Sequence, residues 1–334
     1  MRIFKKIFIM VLCLSIVLGL TACKNGTNEN GSSDANEEKS KITVACLKGP
    51  TGVGMVKLMD DAANGRAMNN YEFTVATSAD EISGKIVSGE INIASVPTNL
   101  AAKLYAKTNG NIVMLATNTL GALSFIENGD TVKSIADLKG KTVYSIGEGS
   151  NPEYILKYIL KANGLEPDKD VKIQFVATND ELSAAIVSKK AEVAMISEPV
   201  ATTVLTKKNT LKRVLEVNKE WKKVSNGELA MGCVVALKSY INSQKTAVEN
   251  FIKEYETSLN YAKENVKEAA SLCEKFGVIP SAAIAEKAIP ECNINFATGE
   301  NMKNSIKGYF EVLLNADSAS VGGKLPETDF YYGA

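Results

Sequence analysis

The polar residues of this chain gather at short loops marked by glycine and proline, and their chemistry is hydrogen bonding. Lys48, Pro50, Thr51 and Gly52 follow one apolar run, Ser78 opens the segment after a second, and Val96, Pro97 and Thr98 close a third. Asn118, the turn Glu148, Gly149, Ser150 and Asn151, then Asn179, and finally Ser197 and Glu198 before Pro199 repeat the theme. Glycine admits a ligand close to the backbone, while hydroxyl and amide groups beside it donate and accept hydrogen bonds. Each of these residues also suits a turn or a helix cap, so the candidate site is the set and not any single member. The chain has no histidine, which excludes Ser/His/Asp and Cys/His catalysis and any histidine-held metal. Its three arginines, Arg2, Arg66 and Arg213, leave little capacity for bidentate clamping of an oxyanion. Trp221, with Tyr144, Tyr154 and Tyr158, either offers a stacking surface in a cleft or closes a core.

The elements that must carry these loops alternate. Ile42 to Leu47 reads as a strand, Val53 to Asn64 as a helix, Tyr71 to Ala76 as a strand, Ser78 to Ser88 as a helix and Ile91 to Val96 as a strand. A helix over Asn99 to Lys107 and a strand over Ile112 to Thr117 complete a first half. The pattern restarts with strand Thr142 to Ile146, helix Glu153 to Asn163, strand Val171 to Phe175, helix Asn179 to Ser188 and strand Val193 to Ile196. Alternation of this kind predicts α/β architecture with mainly parallel sheets and helices on both faces. A late strand, Met231 to Leu237, precedes a block that reads as entirely helical: Gln244 to Asn265, Val266 to Phe276, Ser281 to Ile289 and Gly299 to Leu314. Such a chain crosses to a second lobe and returns to finish the first, and two crossings make a hinge.

The N-terminal segment carries Arg2, Lys5 and Lys6, an apolar run from Ile7 to Leu20, then Thr21, Ala22 and Cys23. This is the pattern of a signal peptide over residues 1–22, and the small residues before Cys23 resemble the bacterial lipobox, in which the cysteine is lipidated. Residues 23–40, poor in large apolar side chains, read as a flexible tether. Lys and Arg equal Asp and Glu at 38 each. Setting aside the leader's three basic residues leaves the remainder near −3, without the basic face a nucleic-acid partner requires. Cys46, Cys233, Cys273 and Cys292 allow three disulfide pairings, of which Cys273 with Cys292 is the first to test; four buried thiols are the alternative.

The order of Asp137 to Lys141, the Gly147 to Ser150 loop, the helix end at Asn163, Gly164 and Leu165, the Asn179 to Ser188 helix and the run Ala191 to Pro199 resembles a known family. It is that of the ABC-transporter solute-binding proteins for nitrate, sulfonates, taurine and thiamine-precursor pyrimidines. The resemblance extends over the chain beyond the tether and implies a two-lobed, type II periplasmic-binding-protein-like fold. Lobe 1 would comprise 41–118 and 225–334, lobe 2 119–224, with the ligand between them in contact with the loops named above and Trp221. It further implies a non-enzymatic, monomeric receptor without cofactor or metal that delivers a small organic or anionic solute to a permease and its ATPase. The receptor would be held to the outer face of the cell membrane through Cys23. Where the family often continues with small residues or histidine, this chain has Asn151, Pro152 and Glu153. Glu148 and Glu198, with so few arginines, argue against a simple oxyanion, although backbone amides at helix N-termini can hold one. An enzyme on the same scaffold and a surface sensor are the competing readings; absent histidine opposes the first, and sequence does not separate the second.

Overall fold

The computed structural model describes residues 39–334; the expected signal peptide, Cys23 and nearly all of the tether lie outside the described residues. The first run comprises β1 (Lys41–Leu47), α1 (Pro50–Val53), α2 (Val56–Ala63), β2 (Asn70–Ala76), α3 (Asp80–Ser88), β3 (Ile93–Pro97), α4 (Thr98–Lys107) and β4 (Ile112–Thr119). The second comprises β5 (Leu123–Glu127), β6 (Thr142–Ser145), α5 (Asn151–Ala162), β7 (Lys172–Phe175), α6 (Asn179–Val187), β8 (Val193–Ser197), α7 (Val200–Lys207), β9 (Lys212–Glu216) and α8 (Val217–Val224). The chain ends with β10 (Gly232–Leu237), α9 (Lys238–Ser243), α10 (Lys245–Glu264), α11 (Val266–Lys275), α12 (Ala282–Ala288), β11 (Ile294–Ala297) and α13 (Gly299–Ala316).

Two sheets result, ordered β11-β4-β10-β3-β1-β2 and β7-β6-β8-β5-β9, one per lobe of an α/β fold. Both are mixed where the alternating pattern predicts mainly parallel pairing. In the first, β2, β1 and β3 are parallel, whereas β10 runs antiparallel between β3 and β4. In the second, β7, β6 and β8 are parallel and β5 runs antiparallel between β8 and β9. β5 and β10 are the strands by which the chain enters each sheet from the other, and they occupy equivalent places. β4, β5 and β10 are buried along their whole length, as strands covered by helices on both faces must be.

Several elements depart from the sequence pattern. β5, α7, β9 and α8 are not among the elements the pattern marks, and the terminal block is not purely helical, because β11 pairs antiparallel with β4 at the sheet edge. Edge strands bury only one face, so β9 (Lys-Arg-Val-Leu-Glu) and β11 (Ile-Asn-Phe-Ala) lack an apolar run. The single helix expected over Val53 to Asn64 is interrupted near Gly54 and Met55, leaving α1 and α2 as separate elements.

All four described cysteines are free, including Cys273 and Cys292, so the Cys273–Cys292 disulfide is not formed. Each is fully buried and packs as a small apolar group, in a core large enough to do without a covalent staple. Burial, with Cys273 close to Cys46, pushes Cys46 up to about 12; burial alone takes Cys273 to about 12. Burial also raises Cys233 and Cys292 far above a free thiol's range. An unfolded thiol ionises near pH 8.5, so above that pH the unfolded chain releases protons that the folded chain keeps. Stability should therefore fall as pH rises from about 8.5 towards 12, by up to about 1.4 kcal/mol per pH unit per thiol. Urea denaturation at pH 8, 9 and 10 measures this slope, which should flatten in a variant with all four cysteines replaced by alanine or valine. Thiol reagents should react only on unfolding, and rapid labelling of the native protein would contradict the buried-thiol core.

Candidate functional site

Between the carboxyl ends of the two sheets lies a cavity of about 590 Å³. Lobe 1 lines it with Leu47, Lys48, Gly49, Pro50 and Thr51 after β1, Thr77 after β2, and Pro97 and Asn99 at the β3–α4 junction; Thr119 and Leu120 follow at the first crossing, where β4 ends. Lobe 2 supplies Ser145 and Ile146 after β6, Ser150, Asn151 and Pro152 at the start of α5, Asn179 opening α6, and Met195, Ser197, Glu198 and Pro199 from β8 and its exit. Parallel strands with crossover helices put these loops at one end of each sheet, where helix N-termini also point.

Of the residues singled out in the sequence, the structure brings Lys48, Pro50, Thr51, Pro97, Ser150, Asn151, Asn179, Ser197 and Glu198 to the cavity wall. It does not bring Gly52, Ser78, Val96, Thr98, Asn118, Glu148, Gly149 or Trp221 there. Gly52 lies beneath the first loop, where a Cβ would come within 2.5 Å of the Leu47 carbonyl oxygen. Ser78 is exposed and turned to Glu81, and its neighbour Thr77 takes the cavity position. Val96 is core, and Thr98 donates from its hydroxyl to the Ala230 carbonyl at 2.8 Å, fastening the second crossing. Asn118 sits under the floor, donating from Nδ2 to Ser95 Oγ at 2.6 Å, while Ser95 donates to the Thr51 carbonyl at 2.7 Å. Glu148 is exposed outside the cavity, and Gly149 borders a separate groove between α5 and α13. Trp221 is fully buried against Tyr158 and Tyr309, with ring centroids 4.9 and 5.8 Å away, so it closes a core.

Sequence reasoning does not mark the lining from the crossings, Thr119, Leu120, Ala122, Leu123, Met231 and Gly232, or Val278 and Pro280 from the loop after α11. These residues carry no local polar signature; they reach the cavity only because the sheets meet there.

The chemistry of the wall is uneven. Thr51, Thr77, Asn99, Thr119, Ser145, Ser150, Asn151, Asn179 and Ser197 bear hydroxyls or amides, and the remainder is mostly aliphatic, with no aromatic ring among the described lining residues. Thr119 Oγ1 and Asn151 Oδ1 are buried without a hydrogen-bond partner. A buried polar atom left in this way is costly unless a ligand satisfies it. Lys48 and Glu198 are the charged lining residues. Glu198 is 3 % exposed, pairs with Arg213 at 2.6 Å and accepts the Thr202 backbone N–H at 3.2 Å. Lys48 is exposed and has no ion pair among the described residues. Beside the site, Glu153 accepts the Gly149 N–H at 2.5 Å; burial opposes its charge, but Lys157 and that N–H hold its carboxyl below the usual carboxylate range. Among the described residues no group of three or more His, Cys, Asp or Glu is arranged to hold a metal ion.

A family model described as "ABC transporter, phosphonate, periplasmic substrate-binding protein" matches residues 64–270. The chain belongs to that family. Its members are substrate-binding components of ABC importers and not enzymes, which removes the catalytic alternative. Solved structures share the fold. An ABC transporter protein from Parabacteroides distasonis is 22% identical, with 88% of this chain and 99% of that one covered and a TM-score of 0.74. The periplasmic aliphatic sulphonate-binding protein SsuA of Escherichia coli is 13% identical over 87% of this chain and 96% of that one, with a TM-score of 0.68. The periplasmic nitrate-binding protein NrtA of Synechocystis PCC 6803 is 15% identical over 77% and 69%, with a TM-score of 0.52. No curated protein matches the chain.

Thr119→Val tests the assignment of the orphaned hydroxyl. It keeps the shape and removes a group that has no partner in the protein, so stability to urea should stay the same or rise by up to about 1 kcal/mol. Ligand affinity should fall roughly tenfold, the worth of one buried hydrogen bond. Loss of stability with affinity unchanged would show that the hydroxyl serves the fold.

Proposed function

We propose that this substrate-binding protein captures a small organic oxyanion with a short aliphatic body, such as an alkylsulfonate or alkylphosphonate, by closing two lobes on it. The observation that carries this reading is the wall itself: hydroxyl and amide side chains from both lobes face one cavity whose remaining surface is aliphatic and lacks a ring to stack a pyrimidine. Glu198 does not oppose an anion, since Arg213 neutralises it, and Glu148 stands outside. The sulphonate-binding and nitrate-binding proteins of the same fold are consistent with this solute class.

The lobes of this reading are 41–118 with 225–334, and 119–224, joined where the chain crosses after Asn118 and again at the segment before β10. A solute bridging them biases the equilibrium between open and closed forms because it contacts both only when they are closed. The closed form then engages a permease and its ATPase. Cys23 is the lipid anchor that keeps the receptor on the outer face of the membrane. Among the described residues no helix is long and apolar enough to cross a membrane.

Two measurements test this. In a thermal-shift and calorimetric comparison of ethanesulfonate, methylphosphonate, nitrate and a hydroxymethylpyrimidine, an organic oxyanion should bind with 1:1 stoichiometry. At one hundred times its Kd it should raise the midpoint by roughly 4 °C. Binding of the pyrimidine alone would contradict the solute class. For the anchor, the protein should partition into the detergent phase and Cys23→Ser should move it to the aqueous phase; equal partitioning of the two would contradict lipidation.

A further inference from the structure

Glu198 is an unusual residue to find in a cavity wall made for an anion, and its surroundings explain how it is tolerated. Its side chain is 1 % exposed, and both carboxylate oxygens are engaged: Oε1 with Arg213 Nη2 at 2.6 Å, Oε2 with the Thr202 N–H at 3.2 Å. Arg213 comes from β9, next to the crossing strand β5, and is itself only 17 % exposed. It donates from Nη1 to Ser124 Oγ of β5 and approaches Glu291 of lobe 1, Nε to Oε2, at 3.6 Å. One guanidinium thus faces two carboxylates at the edge of the cleft, one in the wall and one on the opposite lobe. With Glu198 paired, Lys48 is the lining residue whose charge remains free among the described residues.

We propose that Arg213 determines the charge class of the solute: by neutralising Glu198 it turns a wall that would select cations into one that accepts anions. This rests on the receptor reading above and adds the residue that sets its selectivity. Arg213 acts through Glu198 and does not line the cavity itself. In a medium that screens poorly, a carboxylate in the wall repels an anion and attracts an ammonium, and the guanidinium beside it offsets that field. The tie to Glu291 is weaker, because Glu291 is 37 % exposed and the separation is longer.

The test is a double-mutant cycle in the intact protein, read by calorimetry with ethanesulfonate, the neutral dimethyl sulfone and ethylammonium. Arg213→Gln should weaken ethanesulfonate by about tenfold or more relative to the sulfone and improve ethylammonium. Removing the acid as well, in Glu198→Gln with Arg213→Gln, should return ethanesulfonate to within about threefold of wild type, because there is no longer a charge to neutralise. Glu291→Gln alone should stay within about the same factor. Should Arg213→Gln not fold, the double variant carries the test, since it holds no unpaired buried charge. If it binds ethanesulfonate tenfold or more below wild type, or if Glu291→Gln reproduces the loss, Arg213 serves as a tie between lobes and the assignment falls. A wild type that prefers ethylammonium to ethanesulfonate also overturns it and leaves the receptor reading standing. A wild type that binds none of these solutes contradicts the receptor reading, and the assignment with it.

Discussion

The structure depends on the exchange of one strand between two sheets. β10 belongs by sequence to the chain returning from lobe 2, yet it fills the gap between β3 and β4; β5 does the same between β8 and β9. Neither sheet is complete without the strand that arrives from the other side. The two connections meet closely: a Cβ at Gly121 would fall 2.5 Å from Leu229 Cδ2, so a larger residue there would have to displace the Leu229 side chain. Asn293 seals the same point, donating from Nδ2 to the Gly121 carbonyl at 2.8 Å and accepting the Leu120 N–H at its own carbonyl at 3.0 Å. The proposed closure would bend only a few residues at the ends of β4, β5 and β10, since the buried lengths of these strands are packed on both faces.

From that constraint the site follows. The connections run along the bottom of the cleft, so their residues become its floor: Thr119, Leu120, Ala122 and Leu123 from the first, Met231 and Gly232 from the second. Beneath them Asn118, Ser95 and the Thr51 carbonyl form a buried hydrogen-bonded line from the hinge strand to the first ligand loop. A solute that satisfies Thr119 and Asn151 therefore touches a residue next to the hinge and a residue opening α5 in the facing lobe. The lobes also meet directly, with Arg213 Nε lying 3.6 Å from Glu291 Oε2, so wall and mouth are built from both.

Much of this is readable in the residues alone, and what is not has a physical cause. The strand–loop–helix units announced themselves because buried parallel strands are continuous apolar runs ended by glycine or proline, as at Leu47 to Pro50 and Ile196 to Pro199. Loop residues at strand ends were therefore found within a residue or so, Thr77 in place of Ser78 being the typical error. Trp221 could line a cleft or close a core, and neighbouring residue types do not decide between the two; α8 buries the indole together with Glu220, while Lys222 is exposed. Thr98 and Asn118 are polar and near the cleft, but Thr98 donates to the Ala230 carbonyl of the second crossing and Asn118 to the Ser95 hydroxyl of β3. The floor stayed hidden because its residues are assembled by topology. Glu198 shows the same limit, for its carboxylate reads as hostile to an anion until β9 delivers Arg213 beside it.

In the proposed reading one solute is held by both lobes at the cavity between the sheets. The measurement closest to it is a crystal structure of the protein grown with the organic oxyanion it binds most tightly. The anionic head should lie within hydrogen-bond distance of Thr51 from lobe 1 or Thr119 at the first crossing and of Ser150, Asn151 or Ser197 from lobe 2, with its aliphatic body against Leu120, Met195 and Met231. A solute held by one lobe only, or in the groove between α5 and α13, would contradict it.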